Sequence, residues 1–394
     1  MPNETRVNLK HLLEDLRDAY AAPVEEVVVT ELVANALDSG AHQIHLKTRP
    51  EERSFQCIDD GGGMNRSALR NYHNIAASTK ERGEGIGFAG VGAKLSLLIA
   101  DRVLTETRGK NGARAGAEWY LKNAYKAPWK FIPFSGIIKS GRGTVVSMVL
   151  KDDNHILLKP EFLERTLQRH FYSLLSQDTS IQRVLKTIYK KPIEITVNGK
   201  PVRVESAGKQ TQSFFVYRGR HRKIIGAGFV EKAALDETFW QRMFGREAGR
   251  PGEAGLRIST YGKVIRGGWE WLGLSIKHPE LLSGVVEVPS LSEILTTNKS
   301  DFLSDRGSLK KYYDVRKSVQ RAILPALKAL GEIEEQEETS KTFSEWKPLA
   351  HDIEGALARM TEAFPELESL VGEHWRRQAA RATDVKNGAR KEKS

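Results

Sequence analysis

Segments with helical and strand-like spacing of apolar residues alternate along the first 150 residues of the chain. Residues 9–20 contain four leucines at helical spacing, Leu9, Leu12, Leu13 and Leu16, and are predicted to form a helix. A second helix is predicted over residues 24–37, because Pro23 suits a helix start and Ser39-Gly40 suits a helix end. Strands are expected at 44–48, 54–58, 102–107, 116–121, 131–138 and 144–150.

Two glycine-rich segments interrupt this alternation. Residues 59–64 form a short turn after a predicted strand, and residues 78–92 form a long loop that leads into a helix at 93–100. Because helices alternate with strands that mostly follow one another along the chain, the pattern predicts an α+β fold. In this fold a helix layer covers a mixed, largely antiparallel sheet.

Beyond residue 151 the pattern changes to a succession of smaller units. Asn198-Gly199, between two short strands, suits a type I′ hairpin turn. Further strands are expected at 255–261 and 284–288, and a helix at 308–330. We therefore expect five segments: an α+β domain at 1–151, a helical connector at 152–190, a small α/β domain at 191–330, an acidic linker with a C-terminal helix at 331–380, and a basic, disordered tail at 381–394.

The charge of the chain favours a polyanionic partner. The 61 Lys and Arg residues exceed the 50 Asp and Glu residues and give a formal net charge of +11, which indicates nucleic acid first among polyanions. The last twenty residues hold seven basic side chains against two acidic ones. They form either an arm for phosphate backbones or a solubilising end, and the basic excess as a whole is equally typical of a merely soluble chain.

A soluble, cytoplasmic protein with no membrane segment is expected. The longest apolar run, residues 95–100, is far shorter than the roughly 20 residues that cross a bilayer. The first twenty residues are charged throughout and lack the apolar centre of a secretory signal. Cys57 is the single cysteine, so no intramolecular disulfide can form.

The second predicted helix carries three polar residues on one face. Glu31, Asn35 and Asp38 stand at positions i, i+4 and i+7, which share a helix face. A general base and a magnesium-binding oxygen need such proximity. The alternative is an ordinary polar face exposed to solvent.

The first glycine-rich segment follows a strand that ends at Asp59. Gly61, Gly62 and Gly63 permit the backbone to approach a flat ligand closely. Asp59 would then accept a hydrogen bond from an exocyclic amine such as that of adenine. The alternative is an Asp-Gly turn that closes a hairpin.

The second glycine-rich segment leads into a helix, so its backbone N–H groups suit phosphate binding. Three other phosphate-binding patterns fail in this context. No strand precedes Gly85, as a dinucleotide-binding fold requires, and Lys94 lacks the flanking residues of a P-loop. The catalytic and metal-binding loops of a protein kinase are absent from the sequence.

In this order and at these intervals, the motifs resemble the GHKL superfamily, which includes gyrase-type topoisomerases, heat-shock chaperones of the ninety-kilodalton class, sensor histidine kinases and MutL. The family pattern is Glu-x-x-x-Asn, then Asp-x-Gly-x-Gly, then a glycine-rich lid, then Gly-Thr on a strand. Here these motifs are Glu31 with Asn35, Asp59 with Gly61 and Gly63, residues 85–92, and Gly143-Thr144. Asp60 departs from the asparagine that commonly follows the first aspartate.

The resemblance implies a Bergerat-type fold with ATP and Mg²⁺ as ligands. Glu31 is expected to orient and activate water, Asn35 to bind Mg²⁺, Asp59 to bind the adenine amine, and Thr144 to assist through water. Because histidine kinases lack the water-activating glutamate, Glu31 favours hydrolysis. The residues implied to contact the nucleotide are Asn35, Asp38, Asp59, Gly61, Gly63, Met64, Lys80, Gly85, Ile86, Gly87, Phe88, Ala89, Gly90, Val91, Gly92, Ala93, Lys94 and Thr144.

A second resemblance concerns residues 296–303, which follow a predicted strand. They resemble the lysine loop of the transducer domain in gyrase, MutL and MORC proteins, where a lysine reaches the γ-phosphate. Lys299 is the corresponding residue, with a second catalytic role beside Glu31. The alternative is a surface lysine in a polar loop.

These resemblances imply a slow, Mg²⁺-dependent ATPase that works as an ATP-gated homodimer clamp. The basic excess favours action on DNA, as in MORC, MutL and topoisomerase VI B subunits, with an effector or nuclease chain as a further partner. Two alternatives stay open: a chaperone-like ATPase that acts on protein clients, and a nucleotide switch subunit that does not hydrolyse ATP.

Overall fold

The computed structural model describes residues 7–74, 83, 85–86, 92–138, 141–204, 210–219, 222–232 and 254–333. Among these residues, no helix is both long and apolar enough to cross a membrane. The helices are α1 (Leu9–Asp18), α2 (Val24–Asp38), α3 (Arg66–Tyr72), α4 (Ser96–Ile99), α5 (Pro160–His170), α6 (Tyr172–Leu175), α7 (Thr179–Leu185) and α8 (Arg306–Ala329).

The first sheet has eight strands in the order β5-β4-β3-β6-β2-β1-β7-β8. Every neighbouring pair is antiparallel except β1 and β7. The sheet is therefore mixed and largely antiparallel, as predicted. Its strands are β1 (Gln43–Arg49), β2 (Ser54–Asp59), β3 (Ala100–Arg108), β4 (Arg114–Trp119), β5 (Trp129–Ile132), β6 (Gly143–Leu150), β7 (Glu194–Val197) and β8 (Lys200–Pro201).

Helix α2 lies in the main hydrophobic core, together with residues from β1 and β2 such as Leu46 and Phe55. Its apolar residues occur all around the helix rather than along one stripe, and a helix of this kind is normally buried on all sides. Eleven of its 15 residues are buried. Because the helix is buried, some of its polar side chains lie in the interior, and Glu31 is one of them.

A second sheet of five strands has the order β12-β11-β13-β10-β9, in which only β11 and β13 run parallel. Helix α8 packs against this sheet through an apolar stripe at helical spacing that includes Val315, Val319 and Ile323. The strands are β9 (Gln210–Arg218), β10 (Lys223–Lys232), β11 (Gly255–Thr260), β12 (Lys263–Arg266) and β13 (Leu282–Glu287).

The Asn198-Gly199 hairpin lies in the first sheet, whereas the sequence suggested that it belongs to the second domain. Both turn residues have positive φ angles, 48° and 82°, as a type I′ turn requires. Strand β7 pairs in parallel with β1, and the Asn198 side chain accepts a hydrogen bond from the backbone N–H of Thr48 at 2.9 Å. This pairing joins segments 150 residues apart, so local patterns did not predict it.

Other differences from the predicted elements concern the ends of two strands and two strands that the sequence pattern missed. The strand expected at 131–138 ends at Ile132, because the following loop donates N–H groups to the buried Glu106 carboxylate. The strand expected at 255–261 turns back at Gly262 into β12. Strands β9 and β10 were not predicted, and the C-terminal helix expected before residue 380 lies outside the described residues.

Candidate nucleotide site

Glu31 is a buried carboxylate in the middle of α2, with 3% of its surface exposed. The helix is apolar around most of its circumference, so its burial carries Glu31 inward as well. An ionised carboxylate in such a place needs cations or hydrogen-bond donors around it. Asn35 and Asp38 follow on the same helix face and are half-buried.

The partner of Glu31 is Lys299, which comes from the loop after β13. The Lys299 Nζ lies 2.5 Å from each Glu31 carboxylate oxygen, and the residue is 1% exposed. Its backbone has a φ of +55°, in the left-handed region, and its N–H donates to the Thr296 carbonyl at 3.0 Å. The neighbouring Asn298 amide donates to the Ala19 carbonyl at 2.8 Å, which fixes the loop on the end of α1.

Two further buried lysines, Lys94 and Lys263, lie near Glu31. The Lys263 Nζ is 3.8 Å from a Glu31 carboxylate oxygen. Burial lowers the pKa of each ammonium group to about 8, and the negative charge of Glu31 opposes that shift in both. Lys94 was predicted at the nucleotide, whereas Lys263 was not, because lysines are almost never fully buried unless they are paired.

Asp59 ends β2 and sits beside the C-terminal end of α2. Its carboxylate accepts a hydrogen bond from Gly61 N–H at 2.8 Å, and it lies opposite Thr144 in the β2–β6 register. Burial raises the pKa of Asp59 to about 6, although hydrogen bonds from Gly61 and Thr144 favour the ionised form. Asp59 is therefore an acceptor whose ionisation changes near pH 6.

Two of the three glycines after Asp59 have no room for a side chain. A Cβ on Gly61 would lie 1.8 Å from Ser39 Oγ, and one on Gly63 would lie 2.0 Å from the Arg108 carbonyl oxygen. Gly63 also has a φ of +65°. Met64 N–H, next along the chain, donates to the Thr107 hydroxyl at 2.7 Å.

The Asp59 turn and the Glu31 helix belong to one arrangement. Gly62 N–H donates to the Ser39 carbonyl at 2.8 Å, which ties the turn to the residue after α2. Ser39 lies eight residues beyond Glu31, or about 12 Å along a helix axis at 1.5 Å per residue. The two predicted motifs thus lie beside the same helix, one at its end and one at its middle.

Both described ends of the predicted lid touch α2 carboxylates. The Ile86 N–H donates to Asp38 at 2.9 Å, and a Cβ on Gly85 would lie 2.3 Å from the same Asp38 oxygen. At the other end, a Cβ on Gly92 would lie 2.0 Å from Glu31 Cγ, with Ala93 and Lys94 following in a buried helical turn. Six predicted nucleotide contacts lie outside the described residues: Lys80 and the lid residues Gly87, Phe88, Ala89, Gly90 and Val91.

The comparisons with known proteins agree with this arrangement. The family described as histidine kinase-, DNA gyrase B-, and HSP90-like ATPases matches residues 23–144, a segment that contains Glu31, Asn35, Asp59, the lid and Thr144. Residues 23–144 are therefore similar to the ATPase domains of the GHKL superfamily. The resemblance found in the motifs is thereby confirmed.

One curated relative is the chaperone protein HtpG of Rhodopseudomonas palustris (strain BisB18). It is 28% identical over 180 residues, which cover 42% of this chain. The matched part spans only 28% of the length of that relative. The likeness therefore supports the ATPase family and leaves the client of this chain to be proposed.

Nucleotide affinity is expected to fall as the pH drops below about 6, because the Asp59 carboxylate, whose pKa burial raises to about 6, then takes up a proton. Asp59→Asn should weaken ATP binding roughly 10- to 100-fold at pH 7, since a hydrogen bond to a charged group contributes about 1.5–3 kcal/mol. Its affinity should be nearly independent of pH between 5 and 7. Isothermal titration calorimetry at several pH values measures both effects.

The matched control is Asp60→Asn, since Asp60 is exposed and its carboxylate accepts hydrogen bonds from His42 and Gln43 N–H groups. This variant should keep the pH dependence of the wild-type protein. An unchanged affinity in Asp59→Asn at pH 7 would contradict the assignment of Asp59 to the adenine.

Proposed function

We propose that the chain binds ATP with Mg²⁺ and hydrolyses it slowly at Glu31. The observation that carries this proposal is the group of three buried lysines, Lys94, Lys263 and Lys299, around one buried glutamate. Buried cations are stable only where opposite charges and hydrogen bonds surround them. The phosphates of ATP would supply further negative charge at the point where Glu31 and the glycine-rich lid meet.

The residues around Glu31 fit the phosphate end of the nucleotide. Asn35 offers an amide oxygen, a ligand type that Mg²⁺ accepts together with phosphate oxygens and water, and the bound ion would neutralise phosphate charge. Lid N–H groups would bind phosphate oxygens. Lys299 would move from Glu31 to the γ-phosphate, where a cation stabilises the charge that develops during transfer.

Hydrolysis would then proceed by direct attack of water. Glu31 would orient a water molecule and accept its proton while the water oxygen bonds to the γ-phosphorus. The bond between that phosphorus and the β,γ-bridging oxygen would break, and ADP would leave with the bonding electrons. A positioned general base contributes typically about 10²–10⁴-fold in rate.

At the other end of the nucleotide, Asp59 would accept a hydrogen bond from the adenine amine, and Thr144 would assist through water. The Asp59 carboxylate is oriented by the position of the residue at the end of β2 and by the hydrogen bond from Gly61 N–H. Gly61 and Gly63 allow the turn to pack closely against Ser39 and Arg108, which fixes the backbone beside Asp59.

We further propose that ATP gates a homodimer. A connector, residues 152–190, would join the ATP-binding domain, residues 1–151, to a transducer within residues 191–330. The hairpin at 194–201 belongs to the first sheet. The support is that Lys299, from beyond the second sheet, contacts Glu31 in the first domain. A cation placed this way can distinguish ATP from ADP by the presence of the γ-phosphate.

The clamp would act on DNA, because the formal net charge of +11 favours binding to a polyanion. A chaperone-like ATPase acting on proteins is the second candidate, and the likeness to the chaperone HtpG favours it. Two further proposals are subordinate, a non-hydrolysing switch and a nuclease or effector partner, since no contact among the described residues supports them.

ATPase rates with and without duplex DNA at two salt concentrations test the proposal. We expect slow Mg²⁺-dependent turnover that DNA stimulates, and DNA affinity that falls steeply with salt because phosphate contacts release counterions. Gel filtration with a non-hydrolysable ATP analogue should show a dimer. No nucleotide uptake with Mg²⁺ would overturn the ATPase proposal, whereas salt-independent turnover without DNA affinity would favour protein clients.

A further inference from the structure

The turn between β11 and β12 reaches from the second sheet into the candidate nucleotide site. Tyr261 and Gly262 both have positive φ angles, 53° and 80°, as in a tight hairpin turn. The Tyr261 hydroxyl donates to the carbonyl of Gly83, in the glycine-rich segment 78–92 that contains the lid, at 3.1 Å. The next strand residue, Lys263, lies beside Glu31. This hairpin therefore contacts both the glycine-rich segment that contains the lid and the candidate base, Glu31.

Buried hydrogen bonds hold this turn in place. Glu287, which is fully buried, accepts hydrogen bonds from Gly262 N–H at 3.2 Å and from the Ser259 hydroxyl at 2.6 Å. The Tyr189 hydroxyl donates to the Tyr261 carbonyl at 2.9 Å. These hydrogen bonds fix the backbone that leads into β12, and the burial of Lys263 restricts the rotamers of its side chain.

The charged surroundings of Lys263 single out Glu31 as its ion-pair partner. Its Nζ lies 3.8 Å from Glu31, and only 5% of the residue is exposed. Lys299 and Asp38 also face it, and so does His170 on α5. Burial lowers the pKa of His170 more than its hydrogen bond to Glu26 raises it, so the imidazole tends to be neutral and adds little charge.

Lys263 and Lys299 both lie beside Glu31, but only Lys299 would move when nucleotide binds. Lys299 now contacts both carboxylate oxygens, and under the proposed function it would leave them for the γ-phosphate. A buried carboxylate that loses its cation favours the protonated form, which cannot serve as a base. Lys94 also interacts with Glu31, but it is expected at the nucleotide, so Lys263 is the lysine left to stay with Glu31 during the reaction.

We propose that Lys263 is a positioning residue that keeps the Glu31 carboxylate ionised and oriented while Lys299 contacts the terminal phosphate. The inference rests on the proposed ATP hydrolysis. Lys263 acts through Glu31 and does not touch the phosphate, so its loss affects the pH dependence of turnover rather than the affinity for ATP.

The test is the pH profile of kcat between pH 5 and 9 for the wild-type protein, Lys263→Met and Lys263→Arg. In Lys263→Met we expect kcat at pH 7 to fall about tenfold and the acidic limb to move to higher pH by about one to three units, because a nearby cation lowers a carboxyl pKa by that amount. KM for ATP should stay nearly constant. Lys263→Arg should restore most of the wild-type profile.

The matched control is Lys200→Met, at an exposed lysine of the edge strand β8, which should follow the wild-type profile. Lys263→Gln, which keeps a hydrogen-bond donor, is measured in parallel and decides the question if Lys263→Met does not fold. An acidic limb that stays in place, or a loss confined to KM, would overturn the role of Lys263. A wild-type protein that hydrolyses no ATP would instead overturn the proposed function.

Discussion

Glu31→Gln is expected to lower kcat for ATP by about 10²–10⁴-fold, the usual contribution of a general base, while ATP binding is retained. Glutamine keeps the size of the side chain and can still orient water, but it cannot accept the proton. Coupled ATPase assays and calorimetric titration measure the two properties separately. A variant that keeps more than about a tenth of the wild-type kcat would show that another group activates the water.

The same substitution should also change stability in a way that depends on nucleotide. Without the Glu31 charge, the ammonium groups of Lys263 and Lys299 stay buried near a neutral amide, and unpaired buried charges are strongly unfavourable. The melting temperature without nucleotide should therefore fall. ATP should raise it by more than in the wild-type protein, because the phosphates replace the missing negative charge.

The matched control for both effects is Glu25→Gln. Glu25 lies on the same helix, and its carboxylate is 3.8 Å from the His155 imidazole. The substitution removes the same charge from α2 without touching the lysines around Glu31. Its kcat and its response to ATP should equal those of the wild-type protein.

The elements that carry the site could be predicted because their signals are local. Helix α2 is apolar nearly all round and has a proline at its start, and β2 ends in an aspartate followed by three glycines. At two of those glycines, Gly61 and Gly63, an added Cβ atom would collide with Ser39 and Arg108. Residue type and local geometry therefore indicate the same turn.

What could not be predicted depends on contacts between distant segments. The parallel pairing of β7 with β1 joins residues about 150 positions apart, and no periodicity within either strand encodes it. Lys263 directly follows the Tyr261-Gly262 turn, where a lysine is normally exposed, so only the packing of β12 against α5 and α6 and the contact with Glu31 identify it as buried. Lys299 was predicted from a family resemblance, while its contact with Glu31 came from the structure.

Lys299→Met is expected to reduce both the stability of the protein and its ATP turnover. Removing one partner of a buried ion pair leaves the other charge uncompensated, at a cost of about 3–5 kcal/mol. Here Lys263 still lies 3.8 Å from Glu31, so the loss should fall at the lower end of that range. Urea unfolding measures the change in the free energy of unfolding.

A double-mutant cycle separates the ion pair from other effects of the substitution. Because Glu31→Gln and Lys299→Met remove opposite charges that touch at 2.5 Å, the double variant should be more stable than the sum of the two single changes implies. Coupling energies for residues in contact are about 0.5–3 kcal/mol. Strict additivity would mean that the Lys299 ammonium and the Glu31 carboxylate do not interact in solution.

Turnover should respond separately from stability. Loss of a preorganised charge at a developing anion costs on the order of 10²–10³ in kcat, so Lys299→Met should be nearly inactive at temperatures where it is fully folded. The control is Lys310→Met at an exposed position of α8, which should keep wild-type activity and stability. If Lys299→Met is destabilised yet turns over ATP at the wild-type rate, the lysine pairs with Glu31 only for structure and does not act on the phosphate.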